Sequence, residues 1–583
     1  MKFLLCALNA KYIHANPAVR SLAAYAGNIP GCRVIVREFT INQLTEDILA
    51  GISEEKPDAV GFSCYIWNIE TVKKLVSALP RVLPETKIYL GGPEVSFHSE
   101  EILREMPEVT AIMTGEGEEV FRDLVTSLAE EESSLSTTLS EFSVSPESPF
   151  SSHRAPSHSN QPETILSNYS ELLHSNHGET SRTTNATPIT NATPITNATP
   201  ITNAVRRSCK EAGCLHAGHV LPMDSVPFCY DPETSKNRII YYESSRGCPF
   251  RCSYCLSSID KTLRLRSIAR VTEHLDRFLT DRVPQVKFID RTFNANHEHA
   301  HAIWQYLSEH DNGVTNFHFE IAADLLTDDE ILLLNRLRPG LVQLEIGVQT
   351  VNDRTLREIC RPADTEKIRR AALRLRAPGN IHIHLDLIAG LPCEDYDSFV
   401  HSFNEVYSMQ PHELQLGFLK VLKGTRMEEK AGDYGLQYLP YPPYEVLSTR
   451  WITYEELRKL KAVEEMLEIH YNSRQFTQTI PLLETRFAAP FSLYEALAAW
   501  YREHDYFLIV PGRARRYEIL LEFAESLGGE AFREKVRETL TLDYYLREDP
   551  KKRPAFAHSL PAPFRIDTGH RDPVTGNFIL RSR

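Results

Sequence analysis

Long apolar runs are missing from this chain: its 583 residues nowhere approach the roughly 20 consecutive apolar residues that a membrane-spanning helix needs. The apolar start, Met1 to Leu8, is too short for a signal peptide's core plus cleavage site and reads as a buried first strand. Positive charge is also in short supply: 64 Lys and Arg face 78 Asp and Glu, for a formal net charge of −14. Phosphate contacts need clustered Lys and Arg, so no nucleic-acid partner is expected beyond what a local basic patch could hold. Cysteine is sparse, with 11 in all. The expected location is cytoplasmic, where thiols stay reduced. A disulfide framework is thereby excluded, and any tight cysteine cluster points to metal or redox chemistry. What remains is an ordinary soluble composition, 42% hydrophobic and 24% charged, in a chain long enough for three or four domains.

Residues 1–130 alternate short apolar runs with helical patterns. Lys2–Leu8, Arg33–Phe39, Ala59–Ser63, Lys87–Leu90 and Ala111–Met113 read as strands, with helices such as Ile69–Val82 and Glu118–Glu130 between them. That order predicts an α/β fold with a doubly wound parallel sheet, whose ligand sits at the strand C-termini. From about Ser133 to Ala204, within a segment bounded at 131–207, Ser, Thr, Pro and Asn dominate, and Asn-Ala-Thr-Pro-Ile-Thr repeats in tandem from Asn185 to Thr202. Such a composition predicts a disordered insertion. A linker at 208–237 follows, carrying Cys209 and Cys214 as incidental cysteines. A second αβ series spans 238–424, with strand-like runs at Ile239–Glu243, Val286–Ile289, Asn316–Ile321, Val342–Ile346, Ile381–Leu387 and Leu414–Leu419. It predicts a partial (β/α)6 barrel with functional residues at its strand ends. Residues 425–583 read as a mainly helical domain, Tyr444–Glu468 being its clearest helix.

Directly after the first barrel strand comes Ser244-Ser245-Arg246-Gly247-Cys248-Pro249-Phe250-Arg251-Cys252-Ser253-Tyr254-Cys255. Thiolates are soft ligands suited to iron–sulfur clusters, and one tight loop can bring three to a single cubane. A zinc loop is the alternative, but zinc usually takes a fourth Cys or His at a matching spacing, and none is close. Cys-x3-Cys-x2-Cys with an aromatic residue before the last cysteine resembles the signature of radical S-adenosylmethionine (SAM) enzymes. The resemblance implies a [4Fe–4S] cluster on Cys248, Cys252 and Cys255, with Tyr254 beside it. It also implies an open iron that takes the amino and carboxylate groups of SAM, and reductive cleavage to a 5′-deoxyadenosyl radical. A small-molecule substrate and a reductant such as flavodoxin or ferredoxin would be the partners.

Later strand ends supply charged candidates. Glu320 interrupts the apolar run Phe317–Ile321, which marks either an edge or a functional position, since a buried carboxylate is costly unless paired. Gln349, Arg361 and Asp386 follow in order. Their order resembles that of the oxygen-independent coproporphyrinogen oxidases, and the resemblance implies SAM contacts for Glu320, Gln349, Arg361 and Asp386. Asp290, at the end of the second barrel strand, is a further candidate for SAM or substrate.

In the first domain, Ser63-Cys64-Tyr65, Gly91-Gly92-Pro93-Glu94 and Gly115-Glu116-Gly117-Glu118 follow successive strands. Glycines at strand ends let a large ligand approach the backbone. The ordered set resembles the cobalamin-binding domains that precede radical SAM barrels, which implies that Ser63, Tyr65, Gly91 and Gly92 line the corrin or its nucleotide tail. Those domains in their fullest form carry Asp-x-His-x-x-Gly after the first strand. Here Tyr12 stands at the Asp position and Pro17 at the Gly position around His14, so a cobalt–imidazole bond is not expected. The domain order implies a cobalamin-dependent radical SAM enzyme, methyl transfer to an unactivated carbon being the leading reaction. Rearrangement or oxidative cyclisation, as in the porphyrin-pathway cyclases this order also resembles, and a non-catalytic sensor are the alternatives.

Overall fold

The computed structural model describes residues 1–141, 213–217, 220–548, 553–559 and 564–582. The predicted disordered insertion lies outside the described residues from 142 onward, as does Cys209.

Two parallel six-stranded sheets carry the molecule. In the first, β1 (Lys2–Asn9), β2 (Arg33–Thr40), β3 (Ala59–Ser63), β4 (Lys87–Gly91), β5 (Ala111–Thr114) and β6 (Cys214–His216) lie in the order β2-β1-β3-β4-β5-β6. Side chains alternate between its faces, and both faces are apolar. Leu4, Cys6 and Leu8 enter one core with Phe62, Leu75 and Ile88, while Phe3, Leu5 and Ala7 enter the other with Tyr89 and Phe121. This is the burial on both sides that parallel sheets require. The helix expected to end at Glu130 runs on to Glu141, and β6 falls within the stretch read as linker. Three residues carry no periodicity, so their pairing with Ile112–Thr114 could not be read beforehand. Cys214 is buried in that strand with its Sγ 3.5 Å from Ser99 Oγ, which makes it a packing residue.

The second sheet is the partial barrel. It contains β7 (Ile239–Tyr242) and, after a two-residue ladder of β8 (Ser245–Arg246) with β9 (Arg264–Leu265), the strands β10 (Gln285–Phe288), β11 (Asn316–Ile321), β12 (Val342–Gln349), β13 (His382–Ala389) and β14 (Glu413–Phe418). Their order is β14-β13-β12-β11-β10-β7, so the barrel stays open. Side-chain caps start the helices that follow the strands: Ser267, Asn296, Thr327, Asp364 and Asp395 each accept from a first-turn backbone N–H.

The C-terminal helices do not form a separate core. Barrel residues such as Leu385 and Leu416 share one apolar cluster with Leu460, Met466, Leu497 and Leu520. The edge of β14 is covered from that side. Asn472 Oδ1 accepts from Leu414 N at 3.0 Å and its Nδ2 donates to Leu414 O at 2.8 Å, standing in for a neighbouring strand. The helix expected from Tyr444 begins at Tyr454, where Thr453 and Glu456 form a reciprocal capping box; Val446–Ser448 ahead of it is a short strand.

Candidate active site

The loop after β8 is pinned at its base. Gly247 has φ 88°, and a Cβ there would stand 2.2 Å from Thr262 O, so only glycine lets the loop close. Cys248 N donates to Asp260 O at 3.2 Å, Ser253 N to Ile359 O at 2.9 Å and Met427 N to Ser253 O at 2.9 Å. Thus the backbone, not side-chain packing alone, fixes where the cysteines point. Cys248, Cys252 and Cys255 line one cavity together with Tyr254. Burial pushes the Cys248 and Cys252 thiols up; at Cys252 the Arg361 guanidinium, 3.6 Å from its Sγ, works against that, and at Cys248 the Phe250 backbone and Thr292 do. Three soft donors in one cavity, with a cation beside them and no fourth cysteine in the lining among the described residues, fit a cubane with one iron left open.

The four carboxylate, amide and guanidinium candidates converge on the same cavity: Glu320, Gln349, Arg361 and Asp386 all line it. Gln349 sits at a bulge where the β12–β13 register shifts, with φ 70°, a backbone conformation costly for a residue with a side chain. Its Oε1 is buried with no hydrogen-bond partner among the described residues, and the same holds for Gln415 Oε1 and Arg361 Nε. Unpaired polar atoms around one cavity are what a polar ligand would satisfy. Arg361 itself is anchored through Nη2 to Gly347 O. Asp290 does not belong to the lining. Its carboxylate accepts from Ser244 N at 3.1 Å and Ser244 Oγ at 2.6 Å, so it holds the end of β7 instead of meeting a ligand.

Beneath these residues lies an ionic layer that single-residue reading missed. Lys287 Nζ is 3.0 Å from Glu345 and 3.4 Å from Glu320, His318 Nε2 is 2.9 Å from Glu345, and His384 Nε2 is 3.0 Å from Asp386. Burial pushes Glu320 up to about 8. Burial alone would also raise Glu345, but Lys287, with His318 and His384, more than offsets it and holds that carboxyl low. His384 is pushed up to about 10: burial opposes its charge, and Asp386 overcomes it. Glu345, His384 and Asp386 are close enough to share a metal ion, but the ammonium of Lys287 already supplies the countercharge there. A signal was present in the sequence. Lys287, His318 with Glu320, Glu345, His384 with Asp386, and Glu413 with Gln415 stand at alternate positions of successive strands, a period of 2 shared by five strands.

From the first domain, Tyr65, Ile66, Trp67, Pro93 and Glu94 line the cavity. Tyr65 and Trp67 stack with centroids 4.3 Å apart, and Trp67 Nε1 donates to Leu8 O at 3.1 Å. Ser63, Gly91 and Gly92 are absent from the lining. Gly92, at φ 121°, is needed because a Cβ would meet Cys64 O at 2.3 Å, an internal constraint. His14 lies elsewhere too. Its ring packs edge-on to Tyr241 while its neighbours pair with Ile239, and burial lowers it to about 4.

The Gly-Glu-Gly-Glu segment also has a different use from lining a ligand. Arg246, two residues before Cys248, donates through Nη2 to Glu118 Oε1 at 2.6 Å and through Nε to Glu243 at 2.9 and 3.0 Å, and lies 3.5 Å from Glu116. Arg264 binds Glu116 as well. The side chains of Arg246, Glu116 and Glu118 are 1–4% exposed. The cysteine loop and the first domain are thus joined by buried charge.

Comparison with known proteins bears on this arrangement. Residues 4–125 match the B12 binding domain family, 242–406 the radical SAM superfamily, and 432–565 a family described as a protein of unknown function (DUF4080). The chain combines a B12-binding domain with a radical SAM domain. It is 23% identical over 411 residues to the cobalamin-dependent radical SAM methyltransferase TokK of Streptomyces tokunonensis, covering 68% of this chain and 52% of TokK. The chain therefore spans about half the length of that relative. It is 33% identical over 96 residues to the anaerobic magnesium-protoporphyrin IX monomethyl ester cyclase of Rubrivivax gelatinosus, which is 16% of this chain and 17% of the cyclase. Among solved structures, the cobalamin-dependent SAM radical enzyme OxsB, with aqua-cobalamin and SAM bound, superposes with a TM-score of 0.54 at 14% identity. That match covers 93% of this chain and 78% of OxsB, and it shows that the fold is shared.

Proposed function

We propose that this B12-binding radical SAM protein is an enzyme that cleaves SAM at a [4Fe–4S] cluster held by Cys248, Cys252 and Cys255 and transfers a methyl group to an unactivated carbon. The observation that carries this reading is the single cavity: the three thiols, the four polar candidates and the Tyr65–Trp67 stack of the B12 domain all open onto it. When bound, the cluster would supply the electron, SAM the methyl and adenosyl groups, and the corrin a methyl carrier. The chain's own part is placement. Arg361, tied to Gly347 O beside Cys252, offers its guanidinium to the SAM carboxylate, and Gln349 and Asp386 offer acceptors to hydroxyl or amino groups. Tyr65 and Trp67 offer a flat apolar surface to the corrin side. The likeness to the R. gelatinosus cyclase favours oxidative cyclisation as the second reading.

Anaerobically reconstituted protein with SAM, cobalamin, a reductant and a candidate substrate should yield S-adenosylhomocysteine beside 5′-deoxyadenosine. Only 5′-deoxyadenosine would favour cyclisation or rearrangement. The Cys248, Cys252 and Cys255 to Ala variant should lose its iron and visible absorption. Wild-type iron in that variant would end the cluster assignment.

A further inference from the structure

The cavity is also lined by the end of β14 and the segment that follows it. Phe418, Leu419, Lys420, Leu422 and Lys423 line it there, and Phe250 and Ile388 belong to the same lining. The backbone of this segment is fixed on both sides. Leu419 N donates to Ala389 O and Val446 N to Leu419 O, each at 2.9 Å, and Val421 N donates to Tyr444 O at 2.9 Å. Its backbone is therefore held in place before any ligand arrives.

The cations of the lining are not equivalent. Arg361 is engaged by Cys252 and Gly347, and Arg291 is also engaged. Lys423 Nζ is 3.3 Å from Glu94, which Tyr444 also binds. Lys420 differs from all of these: it has no ion pair and no side-chain hydrogen bond among the described residues. Its natural partner is Glu445, directly across an antiparallel bridge. Yet Glu445 is taken by Lys461, 2.5 Å away, and the Lys461 ammonium lies 4.1 Å from the centroid of the Phe418 ring. Lys420 is thus a half-buried ammonium among the residues that line the cavity, beside Phe418, Leu419 and Leu422, with its neighbouring carboxylate Glu445 paired to a second lysine. Burial pushes it below the ordinary lysine range; the attraction of Glu445 opposes this without overcoming it and the charge of Lys461 adds to the lowering, so a further anion beside it would be favourable.

We infer that Lys420 is the anchor for an acidic group, carboxylate or phosphate, on a substrate whose apolar body lies against Phe418, Leu419 and Leu422. The inference rests on the proposed function for the meaning of substrate, but it concerns a residue of the cavity other than the cysteines and the four SAM candidates. The substrate class is therefore an organic acid or phosphomonoester with an apolar portion, the acid being held away from the carbon that reacts.

The test uses the reconstituted holoprotein and three fluorinated probes followed by fluorine NMR: 4-fluorobenzoate, 4-fluorophenyl phosphate and the uncharged 4-fluorobenzamide. An acid should bind about tenfold or more tighter than the amide, the usual scale of a charge-assisted contact. Lys420→Met should abolish that preference and Lys420→Arg should retain it, while iron content stays at the wild-type level in both. Which acid gains more tells carboxylate from phosphate. Lys420→Gln replaces Lys420→Met if the latter misfolds. Acids binding no better than the amide to wild type, or an acid preference that survives in Lys420→Met or Lys420→Gln, would overturn the inference. Iron retained without the three cysteines would instead sink the cluster assignment and leave the anion result standing.

Discussion

The two sheets share strand number, parallel pairing and open edges, yet they treat their interiors in opposite ways. The first is apolar on both faces, and its ligand-facing groups come only from loops at the strand ends. The second is apolar toward its helices but carries Lys287, Glu320, Glu345, His384 and Asp386 on its concave side. A closed barrel of eight strands fills its centre with branched side chains. An open six-stranded one leaves room, and here charge occupies it. The first sheet is a support, and the second contributes its own strands to the chemistry.

Breaking the ionic layer should have the largest effect. Lys287→Met removes the cation between two buried carboxylates and should cost about 3–5 kcal/mol in denaturant unfolding. Adding Glu345→Leu should restore part of that loss, because the stranded charge goes with it. Phe62→Ala in the first sheet should cost a comparable ~3–5 kcal/mol, but no partner substitution of this kind should rescue it. If Lys287→Met proves neutral, the contrast between the sheets is lost.

The joint between the sheets should show itself through pH. Burial alone would raise Glu118, but Arg246 overcomes it and holds the carboxyl below its ordinary value. A depressed folded value stabilises above the unfolded one and is lost as pH falls through the folded value. Glu118→Gln should therefore cost most near neutrality, with the gap from wild type closing as pH drops below the ordinary glutamate range. A gap that is constant with pH would mean that the ion pair contributes nothing. Smaller in scale, Arg361→Ala should weaken SAM binding by about 1.5–3 kcal/mol while iron content is retained, as titration calorimetry would report. Unchanged affinity would mean the wrong arginine. Last, His14→Ala should leave the electron paramagnetic resonance of the cob(II)alamin-loaded protein unchanged, since His14 faces Tyr241. Nitrogen splitting lost in that variant would place an imidazole on cobalt.

Much of this was legible because parallel strands buried on both faces read as short apolar runs; β1 through β5 and the six barrel strands stand where those runs lie. The cysteine loop and the four polar candidates, which the structure brings to one cavity, could be picked out because each sets an unusual residue in or after a barrel strand. Three features were not. The β6 strand is too short to show a pattern. Gly92 is constrained by the backbone of Cys64, a contact that no local pattern records. The acidic segment from Glu116 to Glu118 could be seen as a motif, but its partner Arg246 lies 128 residues from Glu118. Long-range pairing of charges leaves no periodic trace.

That same arginine has a consequence for traffic. To part the B12 domain from the cysteine loop, Arg246 would have to leave Glu118 and Glu116, stranding charge that water cannot reach until the halves have separated. Breaking such buried pairs costs roughly 3–5 kcal/mol even for a single pair. Clamshell opening is thus an expensive way to admit a small molecule at every turnover. A route into the cavity that leaves the two halves shut is the cheaper one.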